Sequence, residues 1–555
     1  MTFIDKGSAL GGIVYGIVMT AKSISRRFAV FGLIAFAIAV TGVATKAEAQ
    51  VTAFMQSVAE AAAKDRDIAE FYKSNGYKAV WTAKGSKAKK RREALLKVIA
   101  NADAHGLPQE RYNEKLLKTN LRKVKSERDL GRLEVEMSRL FLLYARDVQT
   151  GILNPRRVDE GIAREVPLRS RTALLTSFSK NSPTAFFKAL PPKNPEYVRL
   201  MKEKMKFEKL LAKGGWGPKV QTSRKLEVGQ SSKAVVQLRN RLIAMGYLKR
   251  TSTKTFDKKI QQAVARFQRD HGLHPDGVVG KGTLAAINVE PATRLTQIIV
   301  AMERERWTNM PRGKRHIWVN ITDYHARVID NGKVTFKTRA VVGANDRDRR
   351  TPEFSDVMEH MVINPTWNVP KSIATKEYLP LLQEDPYAVG HLRLIDQTGR
   401  QVSRDEVDFA SLDEQNFPFD MKQPPSRGNA LGLVKFMFPN RHNIYLHDTP
   451  QKNLFGRSRR AFSHGCIRLG DPFDFAYTLL ARQTRDPESF FKAKLNTGVE
   501  TTVPLEKHIP VHLVYRTAFT QAKGNIQFRN DVYGRDAKIW KALKNAGVSL
   551  RAVRG

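Results

Sequence analysis

Cysteine is almost missing from this chain of 555 residues, which has one, Cys466. A single thiol permits no internal disulfide, so folding must rest on hydrophobic cores. Acidic residues are also scarce, 54 against 95 Lys and Arg, leaving a formal charge of +41 and a pI near 10.2. That balance favours a polyanionic surface or an acidic polymer as partner. The excess is spread along the chain, including residues 87–92 and 122–125, and so bears on location more than on chemistry. The apolar run at 28–40 is shorter than a comfortable membrane span. No metal-hydrolase spacing and no regular alternation of strand and helix patterns is present, which disfavours a doubly wound α/β fold.

The N-terminus sets the compartment. Lys22, Arg26 and Arg27 precede the apolar run, and Ala47-Glu48-Ala49 follows it. This is the pattern of a signal peptide with Gln50 as the first mature residue; an uncleaved anchor is the alternative. Export argues against nucleic acid as the partner of the basic chain. It also makes an unused thiol a chemical liability.

The length allows two to four domains. Residues 50–213 read as mostly helical, with apolar residues at helical spacing in 51–63, 92–104 and 132–145. A small folding nucleus is expected between Phe71-Tyr72 and Ala79-Val80-Trp81. Gly214-Gly215-Trp216-Gly217-Pro218 opens a linker, 214–230. A compact module follows at 231–290, with three short helices and glycine turns. Phe267, Leu273 and Leu284 are its expected core residues, and Arg269 and Asp276 its weak ligand candidates. A connector helix at 291–314 ends after Glu303-Arg304-Glu305-Arg306-Trp307.

From residue 315 the pattern turns to β. His316-Ile317-Trp318-Val319-Asn320-Ile321 alternates as a strand should, and Asn331-Gly332 predicts a hairpin turn before the strand at 334–342. Met361-Val362-Ile363, residues 432–438 and residues 443–447 add further strands. An insertion of about 372–429 is expected beside the site, partly helical, as a lid, a binding wall or a solvated excursion. Residues 501–555 form a closing segment associated with the scaffold or with the β domain.

Cys466 lies in Ser463-His464-Gly465-Cys466-Ile467-Arg468-Leu469, after Tyr445-Leu446-His447-Asp448. A thiol needs a base to become a nucleophile, and a neutral imidazole can serve. His447 and His464 compete for that role. Neighbouring side chains on a strand point to opposite faces, so a backbone carbonyl is at least as good an orienter of His447 as Asp448. A buried structural cysteine is the bland alternative, although glycine before it and arginine after it make a poor apolar plug. A zinc site using His447, His464 and Cys466 is a chemical rival.

Residues 231–290 resemble the peptidoglycan-binding module of cell-wall hydrolases through Phe267-Gln268, His271-Gly272-Leu273, Asp276-Gly277, Gly280 and Thr283-Leu284. His447 with 463–469 resembles the signature of L,D-transpeptidases of the YkuD type. Asn364-Pro365-Thr366-Trp367-Asn368-Val369-Pro370, 444–450 and Asp531-Val532-Tyr533-Gly534-Arg535-Asp536 extend that resemblance to the long periplasmic branch of the family. It implies a multidomain chain: a mainly β catalytic domain at 315–500 with its insertion, preceded by an all-α scaffold and the three-helix module.

The resemblance further implies site roles. Cys466 is the nucleophile, His447 the general base and then acid, and His464 a support for the proton network. The amides of Gly465 and Cys466, with Tyr445, are candidates for the oxyanion. Arg468, Ser463, Trp367 and Asn364 are candidates for substrate binding. No metal and no cofactor is implied. The implied partners are peptidoglycan stem peptides and glycan strands, in the periplasm, with a monomeric enzyme and the N-terminal segment as a conditional inner-membrane anchor. The implied reaction releases D-alanine from a tetrapeptide stem through a thioester and passes the acyl group to an amine, giving a 3→3 crosslink. Water, another amino acid or an envelope protein are the alternative acceptors, and a non-catalytic wall-binding scaffold is the alternative class.

Overall fold

The structure is a computed structural model that describes residues 51–550, so the leader, cleavage site and conditional anchor expected in 1–49 lie outside the described residues. Among the described residues no helix is long and apolar enough to cross a membrane.

The helical region is organised by one long helix, Glu127–Thr150, which starts at a capping box of Ser126 and Asp129. Its Glu134 is wholly buried and explains the expected nucleus. The carboxylate accepts from Val80 N at 2.6 Å, Thr82 N at 2.8 Å and Tyr72 Oη at 2.8 Å. A buried carboxylate is tolerated only with such donors, so the loop around Trp81 is pinned to the helix. Trp81, Phe141 and Phe178 then pack as rings over that loop.

The module has helices Lys233–Ala244, Lys258–Asp270 and Lys281–Ile287 around Val235, Leu238, Leu242, Ile260, Val264 and Phe267. Phe267 is core as expected, Leu284 packs at its edge, and Leu273 is only half-buried. Asp276 is a turn residue: Oδ1 accepts from Gln268 Nε2 at 2.7 Å and Val278 N at 2.9 Å. Arg269 is exposed.

The helix Pro291–Trp307 is buried along its whole second half, although it carries four consecutive charges. Each charge has a partner. Glu303 pairs with Arg306 at 2.6 Å and accepts from Ile152 N at 2.8 Å. Arg304 reaches Glu353 at 2.5 Å and Asp536 at 2.9 Å. Glu305 holds Arg312 at 2.7 Å and also Arg516. One helix therefore ties the scaffold, the β domain and the C-terminal segment together.

The β region contains β1 (Arg315–Asn320), β2 (His325–Asp330), β3 (Lys333–Gly343) and β4 (Phe354–Ile363). The β2–β3 turn is Asn331-Gly332, with φ of 50° and 79°, as a type I′ hairpin requires. Next come four short strands, β5 (Trp367–Asn368) just ahead of the insertion and β6 (Arg393–Ile395), β7 (Gln401–Val402) and β8 (Asp420–Gln423) within it. Then β9 (Val434–Met437), β10 (Leu446–His447), β11 (Ala461–Ser463), β12 (Ile467–Leu469) and β13 (Thr501–Val514) return to the main sheet. A last hairpin pairs β14 (Ala518–Phe519) with β15 (Gln527–Phe528).

The main sheet has the order β11-β3-β12-β10-β9-β4-β13-β1-β2, and β2 also pairs with β3, so it closes on itself. Inside are Ile317, Val319, Val328, Met361, Phe436, Leu446, Ile467 and Leu513. Residues 501–514, the start of the closing segment, lie in this sheet as β13. β13 pairs with β4 on one side and β1 on the other, and removing it would open the closed sheet. The insertion is a folded subdomain with its own four-stranded sheet and core, not a solvated excursion. Its helical start comprises Lys371–Ile373, a π-helical turn at Ala374–Tyr378 and Leu379–Glu384.

Candidate active site

The site is built on two adjacent parallel strands, β10 and β12, in which Leu446 lies beside Ile467 and His447 beside Arg468. Ile444, Leu446, Ile467 and Leu469 turn into the core. Alternation along a strand then puts Tyr445, His447, Cys466 and Arg468 together on the opposite face. Tyr445 is the lateral neighbour of Cys466, locked by the Ile467 N to Tyr445 O bond at 3.0 Å. His447 is its diagonal neighbour, within reach of a ring side chain. A glycine-containing loop and a preceding strand thus bring together four groups that stand apart in sequence.

His447 is buried, and its Nδ1 donates to the backbone carbonyl of Asp448 at 2.5 Å. A carbonyl can only accept, so the proton sits on Nδ1 and leaves the Nε2 lone pair free. The orienter is therefore a backbone carbonyl. The Asp448 carboxylate is held elsewhere, by Leu433 N at 2.9 Å and by Lys452. Burial, and next the charge of Arg468, bring the His447 imidazole down to about 3, against the opposing pull of the Asp448 and Leu431 carbonyls. At neutral pH the ring is uncharged.

Cys466 is half-buried, with Sγ 3.5 Å from the Asn443 carbonyl. Burial lifts the thiol to about 11, outweighing hydrogen bonds from Tyr445 and the charge of Arg468. The resting pair is thus a neutral thiol and a neutral imidazole, not a stored thiolate. Gly465 has φ +117°, a backbone that L side chains rarely adopt, and a Cβ there would meet Ile444 at 3.2 Å. The loop is braced from outside by Thr351, whose Oγ1 donates to Gly465 O at 2.7 Å. Tyr533 braces the next layer by donating to Gly343 O at 2.6 Å.

Several residues expected as substrate contacts have partners within the protein. Ser463 is buried, and its Oγ donates to Cys466 O at 2.5 Å while accepting from Gly465 N at 3.2 Å. It braces the loop, and it occupies the Gly465 amide expected for the oxyanion. Asn364, at φ 52°, donates its amide to Leu495 O at 2.9 Å and serves a turn. Trp367 is buried in the core of the insertion, edge-on to Tyr378. Both were candidates for substrate binding, with a core position the alternative for Trp367. Arg468 remains on the site face, with Nη1 2.5 Å from Gln451 Oε1.

His464 points to the insertion. Its Nε2 lies 2.7 Å from Glu377 Oε1, which also accepts from Arg349 Nη2 at 2.6 Å. Glu377, Arg349 and Thr351 had no signal in the sequence, because each is separated from Cys466 by roughly ninety residues or more and joins it only through folding. Tyr445 also packs against the insertion core, so the insertion touches two residues that neighbour Cys466. Among the described residues no group of three or more His, Cys, Asp or Glu is gathered to hold a metal ion.

A closed, mainly β domain carrying a thiol and an oriented imidazole on one face defines a class of site suited to acyl chemistry. Comparison with known proteins makes this particular. Residues 314–497 match the L,D-transpeptidase catalytic domain (YkuD), residues 231–287 match a "Putative peptidoglycan binding domain", and residues 66–203 match a "Scaffold domain". The chain thus carries a YkuD-type L,D-transpeptidase catalytic domain behind an all-helical scaffold and a peptidoglycan-binding domain. A protein of Haemophilus influenzae described as "Putative L,D-transpeptidase" is 34% identical over 242 residues, covering 43% of this chain and 48% of that protein. The chain therefore spans about half the length of that curated relative. Solved L,D-transpeptidase structures from Xylanimonas cellulosilytica and Stackebrandtia nassauensis align at 15% and 14% identity, with TM-scores of 0.16 and 0.21. Each alignment covers 54% of this chain, and 98% and 96% of the respective structure. Likenesses that slight carry no argument.

Proposed function

We propose that the protein is an L,D-transpeptidase of peptidoglycan, with Cys466 as nucleophile and His447 as its base. The observation that carries this reading is the shared face of Tyr445, His447, Cys466 and Arg468 on paired strands. With the thiol lifted to about 11, thiolate is scarce at neutral pH, so His447 Nε2 takes the proton as Sγ attacks. The carbonyl attacked is that of the L-diamino acid in a tetrapeptide stem. The developing oxyanion is met by the Cys466 amide and the Tyr445 phenol, the Gly465 amide being held by Ser463. His447 returns its proton to the departing amine, and D-alanine leaves.

The thioester retains acyl reactivity where no nucleotide is expected. An amine of a second stem attacks it, His447 removes the amine proton, and the thiol is restored with a 3→3 crosslink formed. Arg468 suits a substrate carboxylate, for which its planar guanidinium is matched. His464 acts through Glu377 on the loop and insertion rather than on the thiol. The work lies outside the cytoplasm, where peptidoglycan is, and the leader at 1–49 provides export.

Purified tetrapeptide stems incubated with the protein and resolved by mass test all of this. The expected products are free D-alanine and a dimer lighter than two stems by the mass of one D-alanine molecule. Hydrolysed tripeptide alone would make the protein a carboxypeptidase, and exchange of the terminal residue would make it an editing enzyme. Cys466→Ala is expected to lower product formation by more than about a thousandfold; an unchanged profile would overturn the mechanism.

A further inference from the structure

A cleft of about 1740 Å³ lies between the scaffold and the closed sheet, and none of its lining belongs to the Cys466 site. Its floor is the outer face of β1–β3, including Trp318, Arg327 and Lys337. One wall is formed by scaffold helices Arg171–Lys180 and Pro183–Ala189, and the other by residues 519–522. Among the lining residues seven are Lys or Arg and one, Glu196, is acidic. The whole chain has 95 basic and 54 acidic residues, so the cleft is far more one-sided than the chain as a whole.

The single carboxylate is already occupied. Glu196 accepts from Thr520 N at 2.6 Å, Thr520 Oγ1 at 2.7 Å and Arg199 Nη2 at 3.0 Å. Some of the cations are structural: Arg312 and Arg516 share Glu305 and sandwich Trp318 at 4.8 and 4.5 Å. Arg169, Lys193 and Lys337 are different. Each is exposed, and among the described residues none is in a salt bridge, although the Asp323 carboxylate acts on Lys337 without touching it. Between them lie side-chain amides such as Asn181 and Asn309 and apolar surface from Phe186 and Phe519.

We infer that this cleft is a second binding site, which holds a carboxylate-bearing glycan–peptide strand away from the reacting thiol. Three unpaired cations meet the stem carboxylates, the amides meet sugar hydroxyls and peptide groups, and the apolar surface meets the alanyl methyls and sugar faces. A simple polyanion would need the cations alone, so the mixed lining favours the strand. The cleft is larger than a small-molecule pocket, as an extended polymer requires. This inference rests on the peptidoglycan reading of the chain but not on Cys466 chemistry.

The test reads occupancy of the cleft itself, because the module at 231–287 can also retain the wall. In the full chain, Cys466→Ala removes the only thiol, and Ser177→Cys then places one label on the cleft wall. An environment-sensitive fluorophore at that position is titrated with soluble glycan fragments bearing stems, with the same glycan stripped of stems, and with anionic phospholipid vesicles. A saturable response is expected for stem-bearing fragments only. Arg169→Gln with Lys193→Gln and Lys337→Gln should raise the midpoint about tenfold, and Arg169→Lys with Lys193→Arg and Lys337→Arg should restore it. Equal midpoints in the neutralised and parent chains, an equal response to stripped glycan, or a response to vesicles alone would each overturn the proposal. Product formation from stems by the unlabelled native chain separately decides the Cys466 reading.

Discussion

The strand pair β10–β12 and the helix Pro291–Trp307 are both buried, yet they treat polar groups in opposite ways. On the helix, Glu303, Arg304, Glu305 and Arg306 each lie against an oppositely charged partner. On the strands, His447 has no carboxylate beside it and the charge of Arg468 is outweighed by burial at Cys466, so both are neutral. Desolvation that is matched by a partner joins domains; desolvation that is unmatched prepares a proton transfer. Arg468 sharpens the contrast, since its charge beside His447 lowers the imidazole further instead of being cancelled.

Breaking the unmatched side should have the largest effect. His447→Gln retains a donor for the Asp448 carbonyl but loses the basic lone pair, so kcat should fall by about 10²- to 10⁴-fold with the unfolding midpoint nearly unchanged. Stopped assays of thioester formation alongside denaturant unfolding would check this; a parallel loss of stability would make His447 a structural residue. On the matched side, Arg304→Met leaves Glu353 and Asp536 without their shared cation and should cost about 3–5 kcal/mol in unfolding by denaturant. A neutral result would mean that Arg535, which also reaches Glu353, suffices.

The pH dependence separates the two regions next. With the imidazole down at about 3, its neutral form is complete well below neutrality, so kcat/KM should show no inflection near 6.5 and should decline only below about pH 4. With the thiol lifted to about 11, alkylation of the free enzyme should climb about tenfold per pH unit from 7 to 9. A plateau in alkylation below pH 8 would reveal a stored thiolate. The smallest effect is expected from Glu377→Gln, whose partners are partly exposed. A fall of about two- to fivefold in kcat/KM would fit a loop contact of that kind, measured against His464→Gln for non-additivity.

Much of the site was legible because it lies in short contiguous motifs. Period-2 alternation in 443–447 and 466–469 is a local property, and it assigns Tyr445, His447, Cys466 and Arg468 to one face once the strands pair. Their pairing register is not local. Nor is the fate of Ser463, Asn364 and Trp367, whose polar or aromatic character suited a substrate contact equally well in sequence. Folding committed each of them to an internal bond or core. The strand at 501–514 was missed as part of the closed sheet for a related reason: Pro504 and Pro510 obscure its β pattern, and its partners β1 and β4 lie well over a hundred residues earlier.

The sequence by itself determined the uniqueness of the thiol, the Asn331-Gly332 turn and the motifs around His447 and Cys466. These depend on residue type and near spacing, which a linear chain already contains. Only the tertiary structure decided that a backbone carbonyl orients His447, that Glu377 joins His464 to the insertion, and that the thiol is neutral at rest. Each of those depends on which distant groups exclude water from a side chain or supply its partner, and that is set by packing rather than by order along the chain.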